Sequence, residues 1–366
     1  MTADADGTIA IGYQAGTAIT EAIGSTAIGY QALKACTTAD GNTAVGYKAA
    51  LGLAASDNSG TDNTIIGAYA FDAATSNERQ NVVVGKSAGG SIVGSASDDN
   101  VLIGYLAGLG GGGTTEDCVA IGAYAMDGTG TNTQSGTVAI GYAALSALTT
   151  GAGNLAIGYQ SMSAHTTANR NTCIGYNSMY TGSGDSLGSY DNVFIGYQAA
   201  SGAWSGDDSN NNVGVGYEAM AGAMQGSTNN VAVGYEALHD ITTGGDNVAI
   251  GFRAGDTLTS ADYNTLIGTG AGGALTDGGW NVMIGHNAGN LADTATASAE
   301  YNVYIGGSAG RYLDDGLQNV AIGYEAMKST GATQNANYNV AVGYQALLSI
   351  TDGDSNVAVG TASGDA

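Results

Sequence analysis

Pairs of adjacent aspartates are the side chains of this sequence that could bind a metal ion. Calcium in proteins takes six to eight oxygen ligands, mainly from carboxylates and carbonyls. The candidate pairs lie in segments between hydrophobic stretches, and they are Asp98, Asp99, Asp207, Asp208, Asp314 and Asp315. The nonapeptide pattern of calcium-binding repeats is absent. We therefore interpret most of these acids as solvated charges, keep the three pairs as calcium candidates, and predict no other metal or cofactor.

No set of residues in the sequence has the spacing of a catalytic site. The histidines His165, His239 and His286 are far apart in the chain, and no nucleophile motif stands with a suitable histidine. The glycine-rich run at 108–113 lacks the lysine and hydroxyl residue of a phosphate-binding loop. We predict no catalytic and no cofactor-binding residue, and we expect that the protein is not an enzyme.

Aromatic residues are the candidates for contact with a ligand. Trp204 and Trp280 lie in connecting segments, where an exposed ring could contact sugar or protein and a buried ring would cover the end of a core. Tyrosines recur at a regular spacing from Tyr13 and Tyr30 onward. They fit either a stacked ladder on adjacent strands or an aromatic strip that binds glycan.

Composition excludes several classes of protein. The chain has 366 residues with 62 glycines, no proline and a net charge of −24. Collagen needs proline and a strict glycine period, and an acidic chain without a basic patch does not suit nucleic acid. No hydrophobic run approaches the ~18 residues of a membrane helix, so we predict no membrane insertion. Three widely spaced cysteines predict free thiols rather than a metal site.

A repeated phrase, Ile or Val followed by Gly, organises the whole chain. Taking that glycine as position 0, the phrase occurs twenty times at intervals of 17 to 21 residues. The glycines are Gly12, Gly29, Gly46, Gly67, Gly85, Gly104, Gly122, Gly141, Gly158, Gly175, Gly196, Gly216, Gly234, Gly251, Gly268, Gly285, Gly306, Gly323, Gly343 and Gly360. A fixed period of this length indicates a repeat architecture.

The residues around position 0 predict one short strand per repeat. Position −1 is Ile or Val in all twenty copies, position −3 is β-branched in nineteen, and position −2 is Ala in eleven. Position −4 is Asn in sixteen copies and position +1 is Tyr in twelve. Alternate residues of a strand share a face. We expect positions −3 and −1 to fill the core, position −2 to lie at a seam between chains, and the asparagines to form an amide ladder.

A repeat of about 17 residues is too short for a strand and a helix. The sequence therefore predicts an all-β protein, a parallel β-solenoid or β-roll of about twenty turns, forming one domain over 1–366 with repeats from about 8 to 360. At about 4.8 Å per turn, nineteen steps give a rod about 90 Å long. A coil so small leaves one strand face for a partner, which predicts a homotrimer.

The repeated phrase resembles the head repeats of YadA-like trimeric autotransporter adhesins. It is read as Asn-Val-Ala-Ile-Gly at 319–323 and again at 247–251. The resemblance runs from about residue 8 to 360 and implies a trimeric, left-handed parallel β-roll that presents a surface for attachment. Repeats that contain Gly-Tyr are also similar to those of bacteriophage tail fibres and bacterial surface fibres.

These features predict an extracellular structural protein on a virion or cell surface. We expect a non-enzymatic shaft or head of an extended trimeric fibre that provides reach and attachment to a glycan or protein receptor. The alternatives are a filament protein that polymerises by end-to-end stacking and a secreted adhesin fragment. Neither end of the repeat array shows a polar cap, so we expect either a piece of a longer fibre or ends that stack on other molecules.

Overall fold

The structure confirms an all-β parallel solenoid. It is a computed structural model that describes residues 6–53, 60–75, 78–92, 97–110, 113–128, 134–180, 188–204, 207–290, 299–313, 315–329, 336–351 and 353–364, and this part of the chain contains no helix. The chain divides into two compact units, Met1–Ser189 and Tyr190–Ala366. Each unit is a stack of parallel strands, and the expectation of one domain over the whole length stays a prediction.

Every repeat contributes one three-residue strand at positions −3 to −1. In the first unit the strands are β1 (Ile9–Ile11), β2 (Thr26–Ile28), β3 (Thr43–Val45), β4 (Thr64–Ile66), β5 (Val82–Val84), β6 (Val101–Ile103), β7 (Thr115–Glu116), β8 (Val119–Ile121), β9 (Gln134–Ser135), β10 (Val138–Ile140), β11 (Leu155–Ile157) and β12 (Thr172–Ile174). In the second they are β13 (Val193–Ile195), β14 (Val213–Val215), β15 (Val231–Val233), β16 (Val248–Ile250), β17 (Thr265–Ile267), β18 (Val282–Ile284), β19 (Val303–Ile305), β20 (Val320–Ile322), β21 (Val340–Val342) and β22 (Val357–Val359). The two-residue strands β7 and β9 pair with each other.

Neighbouring strands pair in parallel and without a shift in register. In β15 and β16, Val231 lies opposite Val248 and Ala232 opposite Ala249. Equivalent residues of successive turns therefore stack into columns along each unit. Because each column holds the same position of the repeat, the sequence pattern becomes a set of ladders in the structure.

The glycine at position 0 ends each strand in a conformation that other residues rarely adopt. Its φ lies between 127° and 147° in all twenty copies. A Cβ on Gly12 would lie 2.5 Å from the carbonyl oxygen of Gly29 in the next turn. Both the backbone angle and the close stacking of turns therefore require glycine at this bend.

Position +4 turns through the left-handed region whether or not it is glycine. Gly255 has a φ of 60°, and Leu33 and Met126 have φ values of 46° and 51°. The left-handed turn is therefore common to the glycine copies and the bulky copies of this position. A non-glycine residue there costs roughly 1–2 kcal/mol. The full burial of Leu33 and Met126 contributes about 1.5–3 kcal/mol each, which offsets that cost.

The assignment of the two strand faces from the sequence was wrong. Position −2 is buried in nineteen of the twenty three-residue strands, whereas positions −3 and −1 are buried in none. The alanines at position −2, such as Ala27 and Ala232, point into the coil and are fully buried, so they do not lie at a seam. A coil of about 17 residues has a narrow interior, and small side chains fit it better than the β-branched residues, which face outward.

Inside the coil, positions −2 and +4 compensate each other in size. Where position −2 is large, as in Leu266, Met283 and Tyr304, position +4 of the same turn is glycine in five turns, whereas Ile65 pairs with Phe71 and Phe194 pairs with Ala200. A Cβ on Gly310 would lie 2.5 Å from the ring of Tyr304. Where position −2 is alanine, as in most other turns, position +4 is usually Leu or Met. Most turns therefore place one large side chain inside the coil, from either position −2 or position +4.

The asparagines at position −4 form the predicted amide ladder. Both the backbone N–H and Nδ2 of Asn247 donate to Oδ1 of Asn230, each at 3.0 Å. Nδ2 of Asn247 also donates to the carbonyl oxygen of Ala261 at 2.7 Å. Because these amides are buried, each bond that satisfies them avoids a desolvation cost of about 1–3 kcal/mol.

Candidate functional site

The outward strand face forms an apolar stripe along each unit. Its two central columns are positions −3 and −1, which carry no charged residue in any repeat. Ile103, Ile195 and Ile250 are 36–40% exposed. Contiguous apolar surface of this kind marks an interaction site in a soluble protein. We call positions −5 to +1 of all turns the outer face, with the columns at −5 and +1 as its two edges.

Stacked aromatic rings occupy the +1 edge over most of each unit. In the second unit the ring centroids of Tyr197 and Tyr217 are 5.1 Å apart, those of Tyr217 and Tyr235 are 4.8 Å apart, and those of Tyr235 and Phe252 are 5.1 Å apart. The interplanar angles are 4–12°. The rings cover each other's faces and leave their edges exposed, so a sugar could not stack on a ring inside the ladder. The structure thus confirms the stacked ladder.

Two tyrosines of this ladder, Tyr217 and Tyr235, have a raised pKa because each donates a hydrogen bond to the carboxylate that follows it in the chain. Donation to the carboxylate of Glu218 raises the pKa of Tyr217 to about 12, and partial loss of solvent acts in the same direction. The guanidinium of Arg253 lies 2.6 Å from Glu236 in the preceding turn. Polar side chains therefore line the outside of the tyrosine column, next to the apolar face.

The two tryptophans lie in different environments. Trp204 is fully buried, its ring packs edge-on against Phe194, and its Nε1–H donates to the carbonyl oxygen of Ala200 at 2.9 Å. Of the two roles expected from the sequence, Trp204 therefore has the packing role, and its ring is not available to a ligand. Trp280 is 49% exposed and remains a candidate contact residue.

Trp280 belongs to a second aromatic stack that the sequence analysis missed. Its ring centroid lies 5.1 Å from that of Tyr263 and 5.3 Å from that of Tyr301. The three residues occupy position −5 of consecutive turns, so they form the other edge of the outer face. Reading position −5 as a column would have found them, because polar residues and glycine occupy it in most other turns.

The described aspartates of the three pairs do not gather with other acidic, histidine or cysteine side chains into a cluster of three. Asp98 accepts hydrogen bonds from the backbone N–H and Nε of Arg79, both at 3.0 Å. Asp99, Asp207, Asp208 and Asp315 are exposed. Asp314 lies outside the described residues. Among the residues that the structure describes, no three His, Cys, Asp or Glu side chains come together as metal ligands.

The histidines stay apart in the structure. His165 is buried, and desolvation lowers its pKa to about 4. His239 is partly exposed, with Nδ1 2.6 Å from Asp240 and Nε2 3.7 Å from Glu218. His286 occupies position +1 on the surface. The structure therefore gives these histidines three separate environments.

The cysteines are buried free thiols, as the sequence predicts. Burial raises the pKa of Cys118 to about 11. A thiol with such a pKa is protonated near neutral pH and does not act as a nucleophile. The structure thus gives Cys118 a packing role.

A small polar pocket lies beside the tyrosine ladder. It has a volume of about 260 Å³, and its lining includes Arg253, Asp256, Gly270 and Asn287. Burial raises the pKa of the Asp256 carboxyl to about 6, with Arg253 acting in the opposite direction. Ligand pockets usually enclose about 300–1,000 Å³, so this pocket is small for a substrate site.

Comparisons with known proteins give no further assignment. No protein-family model and no curated protein matches this chain. In the part of the chain that the structure describes, no helix is long and apolar enough to cross a membrane. The outer face and its two aromatic edges are therefore the features from which a function can be argued.

Proposed function

We propose that this protein is the non-enzymatic shaft or head of an extended trimeric fibre, exposed on a virion or cell surface and serving reach and attachment. The observation that carries the proposal is the pair of charge-free columns at positions −3 and −1 of the outer face, which consist almost entirely of Val, Ile and Thr and which each unit leaves partly exposed. Acidic residues are common elsewhere in this chain, whose net charge is −24, but none lies in these two columns. The apolar character of the columns throughout the repeats indicates a surface that a partner covers.

A further copy of the same chain is the partner that fits this face best. Its turns have the same spacing and the same order, so every outward residue meets an equivalent residue at the same height. Each turn presents a face about 4.8 Å high and about 17 Å wide, and ten turns present about 800 Å². Each partner buries about 800 Å² in an interface of standard size.

The number of three chains rests on the resemblance to YadA-like head repeats. In this arrangement the Val and Ile columns of three protomers meet around one axis, and the alanines at position −2 stay inside each coil. The seam therefore differs from the one expected from the sequence. Attachment to a glycan or protein receptor falls to the segments between repeats, which vary in length as the spacing changes from 17 to 21 residues.

Assembly through the outer face can be tested with one charged substitution. Ile250 is 40% exposed in β16, so an isolated chain should tolerate Ile250→Asp, whereas an apolar seam should not. We expect the parent protein to show three times the chain mass of 36.0 kDa in light scattering, and Ile250→Asp to shift it toward the mass of one chain. Gln225→Asp places the same charge at an exposed residue outside this face and should leave the mass unchanged.

Circular dichroism of both variants shows whether the strands remain folded. A parent protein that is a stable monomer would contradict the proposal. Electron microscopy separates the main alternative, because a filament built by end-to-end stacking gives long polymers. A fibre segment gives particles of fixed length, about 90 Å for nineteen steps of 4.8 Å.

A further inference from the structure

The two edges of the outer face carry aromatic residues in a reciprocal pattern. Four repeats have an aromatic residue at neither edge, and one repeat has it at both, as Tyr338 and Tyr344. In the other fifteen repeats an aromatic residue stands at one edge only. Twelve of these have it at position +1, as in Tyr235 and Phe252. The other three are consecutive turns, in which Tyr263, Trp280 and Tyr301 stand at position −5. In those turns the +1 edge holds Thr269, His286 and Gly307 instead.

Contacts within one chain do not account for this pattern. Positions −5 and +1 lie six residues apart on opposite edges, up to about 20 Å along an extended chain. The described aromatic contacts run along each edge, as between Tyr263 and Trp280 or between Tyr235 and Phe252. Large side chains at the two edges of one turn are therefore too far apart to clash with each other.

The backbone at position −5 is unfavourable for aromatic residues. Tyr263, Trp280 and Tyr301 have φ values of 54–62°, a region where glycine, Asn and Asp are enriched. Those residue types occupy most other copies of this position: Gly7, Gly24, Gly41, Asp62, Asp99, Asp117, Gly136, Gly153, Asp191, Asn211, Asn229 and Asp246. The three rings remain 48–50% exposed, so burial within the chain offsets little of the cost. Contact with a partner would supply the missing burial.

We propose that the −5 edge of one protomer packs against the +1 edge of the next copy at the same turn. The Tyr263–Trp280–Tyr301 stack then fits the space that Thr269, His286 and Gly307 leave on the neighbouring chain. Rotation about an axis parallel to the solenoid places these edges together, whereas antiparallel copies would pair different turns. The inference rests on the proposed function, since it requires copies of this chain to assemble through the outer face.

The stack sets the axial register of the assembly. Twenty similar turns could slip past each other by one repeat, about 4.8 Å, with little change in the contacts of Val and Ile. Such a slip brings aromatic residues of both edges together at one end of the three-turn block and leaves a gap at the other. Within the block, the aligned register places all three rings against non-aromatic residues, whereas a slip of one repeat places only two of them so. The block therefore favours the aligned register among those that repetitive strand pairing permits, and the turn of Tyr338 and Tyr344 adds nothing to this preference.

Cross-linking between two differently tagged chains tests this register. One chain carries Trp280→Cys and the other His286→Cys, and the native cysteines are buried. A short bismaleimide should join the two co-expressed chains in high yield. The matched control pairs Trp280→Cys with Tyr235→Cys, three turns and about 14 Å away, and should give little product. The parent chain should give none.

The outcomes separate the register from the assembly itself. An equal or higher yield from the Trp280→Cys and Tyr235→Cys pair, in a protein that light scattering shows to be oligomeric, would overturn the register and leave the proposed function intact. A monomeric parent protein would overturn both.

A double-mutant cycle gives a second test without new cysteines. Gly307→Tyr should crowd the partner's aromatic edge and weaken assembly by about tenfold or more, and Tyr301→Gln should also weaken it. The double variant recreates the arrangement of the next turn, where Gln318 faces outward with Tyr324. We expect its dissociation constant to return to within about threefold of the parent value. Effects that simply add would contradict contact between the two edges.

Discussion

His165 shows how one polar residue can make a solenoid sensitive to acid. It lies seven residues after its repeat glycine, a position that in other turns holds Leu148, Ile241 or Leu258. All three of those side chains are buried, as His165 is. Because burial withdraws the imidazole from solvent and so disfavours its charged form, it lowers the pKa of His165 from 6.5 to about 4.

This pKa difference predicts a loss of stability in acid. Between pH 6.5 and pH 4 the unfolded chain binds a proton at His165 that the folded chain does not bind. The free energy of unfolding should therefore fall by about 3 kcal/mol over that range and then level off. His165→Leu should abolish this part of the loss. Urea unfolding at pH 7 and pH 4.5 measures it, with His239→Gln as the control at a partly exposed histidine. An unchanged pH dependence in His165→Leu would contradict the assignment.

At the level of the strand and its turn, the sequence predicted the ladders but not which face of each strand points into the coil. Columns of Asn and Tyr indicated stacked amides and stacked rings because parallel strands in register repeat each position, and both ladders are present. Alternation shows that a strand has two faces, but it does not show which face is enclosed. The larger apolar residues were assigned to the core, whereas the width of the coil favours alanine there.

The pairing of positions −2 and +4 predicts a rescue between a strand and its turn. Tyr304→Ala should leave a cavity inside the coil and lower the free energy of unfolding by about 3–5 kcal/mol. Adding Gly310→Met recreates the Ala–Met pair of Ala321 and Met327, and Met327 has a φ of 52°. Thermal unfolding should show the double variant to be clearly more stable than Tyr304→Ala alone.

Gly310→Met by itself should destabilise the protein, because a Cβ there already meets the ring of Tyr304. If the double variant is no more stable than either single variant, the two positions do not share one interior volume.

At the scale of the whole molecule, the outer face and the net charge act against each other. Assembly through Val and Ile columns buries apolar surface, and this contribution changes little with salt over the physiological range. The same assembly brings together chains that each carry a net charge of −24, and like charges repel over the Debye length. That length falls from about 30 Å at 0.01 M salt to about 8 Å at 0.15 M.

The proposed assembly should therefore tighten as salt is added. We expect the dissociation constant from analytical ultracentrifugation to fall when sodium chloride rises from about 0.01 M to about 0.15 M, because screening removes repulsion and leaves the apolar contact. Gln225→Asp adds one exposed negative charge outside the outer face and should make the dependence slightly steeper. Assembly that weakens with added salt would instead indicate an interface held by ion pairs, which the charge-free strand columns do not provide.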